Sequence, residues 1–271
     1  MIKGSFMKVK VVKTRKNELL LIPIGDLHIG DKAFNKESEV KLLSYIKWVK
    51  NNPNAYVLLL GDLINNATLE SPSSPFQQNM NLQEQIDAVV NYFKPIKDRI
   101  VGAISGNHEQ RLESYCGYNP TISICDRLGC YYFGYDGVVI FRLGCHGKRN
   151  SSRASFSFYM HHTTGGGSTI GGKINRADML RRIICNCDGY LGAHNHMLGV
   201  VHTGIFKVNE TTEKIEFLRQ MVIDCGGYIS YEDSYANQKQ LPPLKLGSPK
   251  IRLLIKRDGK DNVHKDIHVS L

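Results

Sequence analysis

Short apolar runs alternate along the chain with longer stretches in which apolar residues recur every three or four positions. The short runs predict strands, because a strand covered on both faces is apolar throughout. They cover residues 8–13, 19–24, 55–60, 100–104, 138–143, 156–160, 190–193 and 251–256. The longer stretches predict helices near 38–50, 82–93, 119–128 and 174–184. This alternation predicts an α/β fold in which layers of helices surround a sheet, and the β-rich part from 214 to 271 predicts a second sheet or an extension.

Several local features sharpen these elements. The polar residues 14–17 predict a hairpin between the first two strands, and Ser38 is the expected cap of the first helix. An apolar stripe is expected on that helix, formed by Val40, Leu43, Ile46 and Val49. Asn119 and Pro120 predict the cap and first turn of a later helix, and Asp258-Gly259 predicts a turn.

Composition fits a folded domain with an anionic partner. The chain has 271 residues, 42% of them hydrophobic and 22% charged, which excludes a disordered protein and predicts a single domain over 1–271. The formal net charge of +10 and the pI of about 9.2 modestly favour a polyanion such as nucleic acid.

Location and redox state follow from what the chain lacks. No run of 18 or more apolar residues predicts a membrane span, and the amino terminus has no signal-peptide pattern, so a cytoplasmic protein is expected. The seven cysteines are an odd number in a chain of this size, which disfavours a disulfide framework. Cys185 and Cys187 are expected to be small buried apolar residues; zinc ligation is the alternative.

Five polar clusters each follow a predicted strand. They are Asp26-Leu27-His28, Gly61-Asp62, Gly106-Asn107-His108-Glu109, His161-His162 and His194-Asn195-His196. Because the carboxyl ends of parallel strands meet at one edge of a sheet, these clusters are expected to come together. Alternate residues of an extended backbone point to the same side, so the Asp-x-His and His-x-His pairs can each face one ion.

Each cluster alone has an ordinary explanation, such as a surface turn, a helix cap or a solvated histidine. Their joint occurrence, in this order and each after an apolar run, instead predicts a metal site. Oxygen and nitrogen ligands of this kind suit Mn, Fe, Zn, Co or Ni better than a thiolate-rich site would.

The order of these motifs resembles that of the calcineurin-like metallophosphoesterase family, over residues 24–196. The resemblance implies two mixed sheets packed as a sandwich and flanked by helices, which modifies the single-sheet picture. It also implies two divalent transition-metal ions, with manganese the first choice, and hydrolysis of a phosphate ester. One departure is that Ala193 separates Gly192 from the final His-x-His pair.

The ligand set is likewise carried over from the resemblance. The implied metal ligands are Asp26, His28, Asp62, Asn107, His161, His194 and His196. Asp62 would bridge both ions, and His108 would contact the substrate phosphate and either stabilise its charge or protonate the leaving group. Either histidine at 161 and 162 can supply the ligand, and His161 is preferred because relatives with a doubled histidine generally use the first.

The substrate is less constrained. The glycine-rich stretch 163–173 can present backbone N–H groups to phosphate, which makes Gly166 and Lys173 candidate substrate-binding residues; a mobile glycine loop is the alternative. Arg176, Arg181 and Arg182 follow, either as nucleic-acid contacts or as a solvated helix face. A phosphodiester, in DNA or RNA, is the first expectation. Nucleotides or cyclic nucleotides are the alternative, and a binding scaffold with a lapsed site is the third possibility.

Overall fold

Two six-stranded sheets lie face to face in the computed structural model, which describes residues 7–69, 71, 75–145, 153–165, 167, 169–232, 237, 242–257 and 263–271. The strands are β1 (Lys8–Lys13), β2 (Glu18–Ile24), β3 (Ala55–Leu59), β4 (Ile100–Ile104), β5 (Tyr131–Gly134), β6 (Asp136–Leu143), β7 (Ala154–His161), β8 (Gly189–Gly192), β9 (Leu198–Asn209), β10 (Lys214–Cys225), β11 (Lys250–Arg257) and β12 (Val263–Ser270). The helices are α1 (Lys36–Asn51), α2 (Leu82–Phe93), α3 (Asn107–Cys116), α4 (Pro120–Leu128) and α5 (Ile170–Asp178).

Both sheets are mixed. The first has the order β1-β6-β7-β8-β10-β9, and the second has the order β12-β11-β2-β3-β4-β5. Strands β2 to β5 run parallel to one another, as do β7, β8 and β10. The architecture is therefore an α/β sandwich of two mixed sheets flanked by helices, as the resemblance implied, and the carboxyl-terminal strands complete both sheets.

The core has three layers, because each sheet is apolar on both faces. Side chains between the sheets include Leu21, Phe156 and Ile223, all fully buried. The outer face of the second sheet packs against α1, α2 and α4, while α5 and the 3₁₀ turn after it cover the outer face of the first. This arrangement leaves the carboxyl ends of the central strands open at one edge.

Three local expectations were wrong. Residues 14–17 do not form a hairpin, since β1 pairs in parallel with β6 and β2 pairs with β3 and β11. Asn35, and not Ser38, caps α1 by accepting from the N–H groups of Glu37 and Ser38. Half of the expected stripe was also wrong, since Val40 and Leu43 are 55% and 41% exposed, whereas Ile46 and Val49 are buried as expected. In contrast, the cap at Asn119 is confirmed.

Three further expectations concern the cysteines, the turn at Asp258-Gly259 and membrane-spanning helices. All seven cysteines are free; Cys187 is buried, but Cys185 is exposed, contrary to expectation. The expected turn at Asp258-Gly259 lies outside the described residues. Among the described residues, no helix is long and apolar enough to cross a membrane.

Candidate metal centre

Six loops meet at the open edge of the sandwich, each leaving the carboxyl end of a strand. They follow β2, β3, β4, β7, β8 and β10. Three overlapping groups of side chains have ligand atoms within 4.8 Å of one another: Asp26, His28 and His196; Asp62, His162 and His194; and His28, Asp62 and His108. The structure thus brings four of the five predicted clusters together as expected. The remaining cluster, His161-His162, contributes its second histidine, His162.

Two carboxylates lie at the centre of this arrangement. Asp26 Oδ1 is buried, has no hydrogen-bond partner and lies 3.7 Å from His196 Nε2 and 3.9 Å from His28 Nε2. Asp62 Oδ2 lies 3.1 Å from His162 Nε2 and 3.8 Å from His28 Nε2. Asp62 is therefore shared between the two halves of the cluster.

The side chain of Asn107 lies among the same ligand atoms. Its amide group lies 3.1 Å from His162 Nε2 and also faces Asp62 Oδ2 and His194 Nδ1. With oxygen and nitrogen exchanged, the NH₂ group would donate towards these atoms and the oxygen would accept from Arg111, so either face of the amide can meet this cluster. The convergent ligand atoms and the unpaired Asp26 Oδ1 fit divalent metal ions.

His162, and not His161, belongs to this cluster. His162 Nδ1 hydrogen-bonds the carbonyl of Leu60 at 2.7 Å, which directs Nε2 towards Asp62 and Asn107. Metal-binding histidines commonly use their second ring nitrogen in this way. His161 pairs with Asp136 and Gly192 at the end of β7, and it is absent from the three groups. The structure therefore brings His162, rather than the expected His161, into the cluster, because adjacent side chains leave a strand on opposite sides.

Electrostatics favour positive charge at the centre. Burial lowers the pKa of His162, but the charge of Asp62, its hydrogen bond and the charge of Asp26 together raise that pKa to about 10. Burial raises the pKa of Asp26 well above its usual value, and the charge of His162 opposes this. In the metal-free protein, protonated His162 is the positive partner of Asp62, while Asp26 favours its neutral form.

The loops hold their side chains by unusual backbone geometry. Asp26, His28, Asp62, His194 and His196 all have φ between 47° and 78°, in the left-handed region that costs such residues roughly 1–3 kcal/mol each. The expected extended backbone for the two x-separated pairs is thus corrected. Strain of this kind is concentrated at functional sites.

Glu109 braces two of the loops, a role the sequence left open. Its buried carboxylate accepts from the N–H groups of Asp62, Leu63 and Gly106, at 2.8 to 3.0 Å. Burial and the charge of Asp62 raise its pKa to about 6, against the effect of the backbone donors. Gly106 permits this contact, since a Cβ there would clash with the Asp62 carboxylate.

A second buried network fixes the last His-x-His pair. Asn195 Nδ2 donates to Asp224 Oδ2 at 3.0 Å, and Lys173 Nζ donates to the Asn195 carbonyl at 2.9 Å. Burial raises the pKa of Asp224 to about 7. The signal for Asp224 was present in the sequence, because it too ends an apolar strand.

A cleft of about 410 Å³ opens over the cluster. Its lining includes His108, Lys173 and Arg111, and sequence analysis missed Arg111. The guanidinium lies against the His108 ring, with terminal nitrogens 3.3 and 3.4 Å from the ring nitrogens. Gly166 lies outside the described residues, and Arg181 is bound to Asp178 and Gln220, which makes it structural.

One comparison with known proteins, the match to a family model, agrees with the motif analysis. The family model described as calcineurin-like phosphoesterase matches residues 21–198. A search of curated proteins gave no match. Among solved structures, Vps29 of Chaetomium thermophilum is similar at 12% identity and a TM-score of 0.39, covering 93% of this chain and 97% of that chain. GAP50, described as the anchor in the inner membrane complex of Plasmodium, is similar at 10% identity and a TM-score of 0.42, covering 93% and 84%.

Proposed function

Because this chain belongs to the calcineurin-like phosphoesterase family, we propose that it is a dinuclear metal-dependent phosphoesterase. The observation that carries the proposal is the convergence of Asp26 and Asp62 with histidine side chains in overlapping groups of ligand atoms within 4.8 Å, with Asp26 Oδ1 buried and without a hydrogen-bond partner. A lapsed site would be expected to have lost some of these groups, whereas here the acceptor set is complete.

The cluster divides into two ligand sets that share one carboxylate. Asp26, His28 and His196 would hold one ion, Asn107, His162 and His194 the other, and Asp62 both. Divalent ions at such a site supply Lewis-acid polarisation of a phosphoryl oxygen and a water of lowered pKa. Manganese is the first candidate, because the carboxylate oxygens suit it; the histidines suit iron, zinc or nickel as well.

His108 is placed to act on the substrate and not only on the ligands. Its Nδ1 contacts the carbonyl of Asn65, which leaves Nε2, 3.7 Å from Asp62 Oδ2, as the nitrogen that can face a substrate. Because Nδ1–H is donated to that carbonyl, Nε2 carries a proton only in the imidazolium form, and in that form it can donate the proton to a phosphoryl oxygen or to the leaving oxygen and return to the neutral ring. Arg111, beside it in the cleft, can bind the phosphoryl oxygens as a fixed cation.

The proposed substrate is a phosphodiester, with DNA or RNA as the first candidate. The net charge of +10 and the cationic Arg111 support a polyanion. The second candidate is a small phosphoester such as a nucleotide, and the observation in its favour is the size of the cleft, about 410 Å³, which is in the range of small-molecule sites.

The test is a metal-supplemented activity screen. Purified protein would be reconstituted with Mn, Fe, Zn, Ni or Co and assayed on bis-p-nitrophenyl phosphate, p-nitrophenyl phosphate, single-stranded DNA and duplex DNA. We expect about two ions per chain and turnover of at least one ester, both abolished in Asp62→Asn. Two bound ions without turnover of any ester would favour a binding scaffold, and no bound metal would overturn the proposal.

A further inference from the structure

The cleft over the metal cluster has a second wall of different chemistry. Ile229, Leu244 and Leu246, with the ring of Tyr231, line the same cavity as His28 and His194. We call these four residues the apolar wall. They lie beyond residues 21–198, which the family model matches, so the wall is a feature of this chain's own carboxyl-terminal part.

The apolar wall is fixed beside the metal-binding loops. The N–H of Tyr228 donates to the carbonyl of Asp26 at 2.9 Å, and the N–H of Ser230 donates to that of Ala33 at 3.0 Å. Gly227 packs so closely that a Cβ there would lie 3.1 Å from His196 Nδ1. The segment that carries Ile229 and Tyr231 is therefore attached directly to the metal-binding loops.

The segment that carries Leu244 and Leu246 is attached to the segment around Ile229 and to α1. The N–H of Gly247 donates to the carbonyl of Gly227 at 2.9 Å, and the Tyr45 hydroxyl donates to the carbonyl of Ser248 at 2.6 Å. Tyr228 and Ser248 also share a buried hydrogen bond. These contacts hold Leu244 and Leu246 near the cleft, where both remain only half-buried.

The two walls suit two different parts of one ligand. The polar wall, with Arg111, His108 and the metal ligands, suits a phosphate group, but a phosphate gains nothing from aliphatic side chains. A site that combines apolar surface with a few convergent polar groups binds ligands that have both kinds of surface. Tyr231 adds an aromatic face, on which a planar ring can stack.

We propose that the apolar wall binds an aromatic group attached to the phosphate of the substrate, such as a nucleobase, and thereby selects nucleoside phosphoesters over small alkyl phosphates. This inference rests on the proposed function and specifies its substrate class. The aromatic group can belong to a free nucleotide or to the end of a strand, since both present a base next to a phosphate.

The test compares two non-hydrolysable anions that differ only in the apolar group. The affinities of phenylphosphonate and methylphosphonate would be measured by calorimetry on metal-loaded protein. We expect phenylphosphonate to bind at least about tenfold more tightly, as burial of a ring implies. The double variant Leu244→Ala, Leu246→Ala should bring the ratio most of the way to one, while Ile183→Ala, an exposed apolar position outside the cleft, should leave it unchanged.

The outcomes separate this inference from the proposed function. Metal-dependent ester turnover with equal phosphonate affinities in the wild-type protein would overturn the apolar-wall assignment alone, whether or not the double variant folds. Absence of metal and turnover would overturn both. Thymidine 5′-phosphonate, free and at the end of an oligonucleotide, distinguishes a free nucleotide from a strand end as the source of the base. Comparable affinities support a nucleotide, and tenfold tighter binding of the oligonucleotide supports a strand end. If neither compound binds more tightly than methylphosphonate, the inference is overturned.

Discussion

The two adjacent histidines differ in what their Nδ1 atoms contact. His162 bonds a backbone carbonyl through Nδ1 and so offers Nε2 to Asp62 and Asn107, whereas His161 Nδ1 is buried without a partner. Such second contacts orient a ligand and are as much a part of a metal site as the ligand atoms themselves.

The adjacent histidines should therefore differ in their effect on metal content. His162→Ala should lose about one of two bound ions, because it removes a nitrogen from the Asp62, Asn107 and His194 set. His161→Ala is the matched control and should retain both ions. Elemental analysis after reconstitution measures this, and the reverse pattern would return the ligand to position 161.

Replacement of His108 should separate chemistry from metal binding. Its ring nitrogen faces the cleft while Nδ1 is held by Asn65, so His108→Ala should lower kcat roughly 100- to 10,000-fold with metal content intact. If His108 protonates the leaving group, the loss should shrink for p-nitrophenolate esters; if it stabilises phosphoryl charge, the loss should persist. Loss of metal along with activity would make His108 a ligand.

Asp224 should make the stability of the metal-free protein depend on pH. Its pKa is raised from 3.8 to about 7 by burial, so the folded state favours the protonated acid. The stability contribution is complete below the unfolded pKa and is lost as pH rises through about 7, at most about 1.4 kcal/mol per pH unit.

The measurement is the unfolding free energy of chelator-treated protein at several pH values. Relative to Asp224→Asn, the wild-type protein should lose stability between about pH 4 and pH 8. The exposed substitution Asp98→Asn is the control and should not reproduce the effect. A pH-independent difference between wild type and Asp224→Asn would contradict the assignment.

At the scale of elements, the site is built where strands end and not within them. The loops after β2, β3 and β8 carry their ligand residues in the left-handed conformation, at Asp26 and His28, at Asp62, and at His194 and His196. The cost of these conformations must be met by contacts elsewhere. For the β3 loop the main contact is α3, whose first turn presents Glu109 to three successive N–H groups.

Removal of that brace should cost stability as well as metal affinity. Glu109→Ala would leave the N–H groups of Asp62, Leu63 and Gly106 buried without a partner, so we expect a loss of roughly 3 kcal/mol or more in the free energy of unfolding. Glu109→Gln keeps one acceptor oxygen and should lose less. Denaturant unfolding of the metal-free variants measures both, and a loss below about 1 kcal/mol for the alanine would show that the brace is not needed.

At the scale of the molecule, charge and sheet topology set what can approach the site. All the ligand-bearing loops lie at one edge of the sandwich. Arg176 lies on α5, and the exposed Arg182 lies in the 3₁₀ turn that follows it. None of the arginines from 176 to 182 is part of the described cleft lining, so any contact with a strand would lie outside the reaction centre.

If nucleic acid binds, its affinity should fall with salt. Release of condensed counterions gives a log–log slope of roughly 0.7 to 0.9 per phosphate contacted. Arg176→Ala with Arg182→Ala should flatten that slope and leave turnover of a small diester nearly unchanged. Lys50→Ala, at the opposite end of the sandwich, is the control. Fluorescence anisotropy of metal-loaded protein provides the measurement; absence of binding to single-stranded and duplex DNA at low salt would end the nucleic-acid proposal.

The sequence by itself determined the elements and the chemistry at their ends. Apolar runs located the strands because burial on both faces leaves no room for polar residues. The residues that follow them predicted the metal cluster, since strand ends converge wherever strands run parallel. The α4 cap at Asn119 was equally local, because a cap depends only on its own first turn.

Only the tertiary structure decided which neighbours each of these residues has. The choice between His161 and His162 depends on the register of β7, and one residue of register reverses the side on which each ring lies. The Glu109 brace joins α3 to a loop 46 residues away, and the apolar wall joins residues near 229 and 246 to the loop after β2. Such contacts come from packing between distant segments, for which no local pattern in the chain carries a signal.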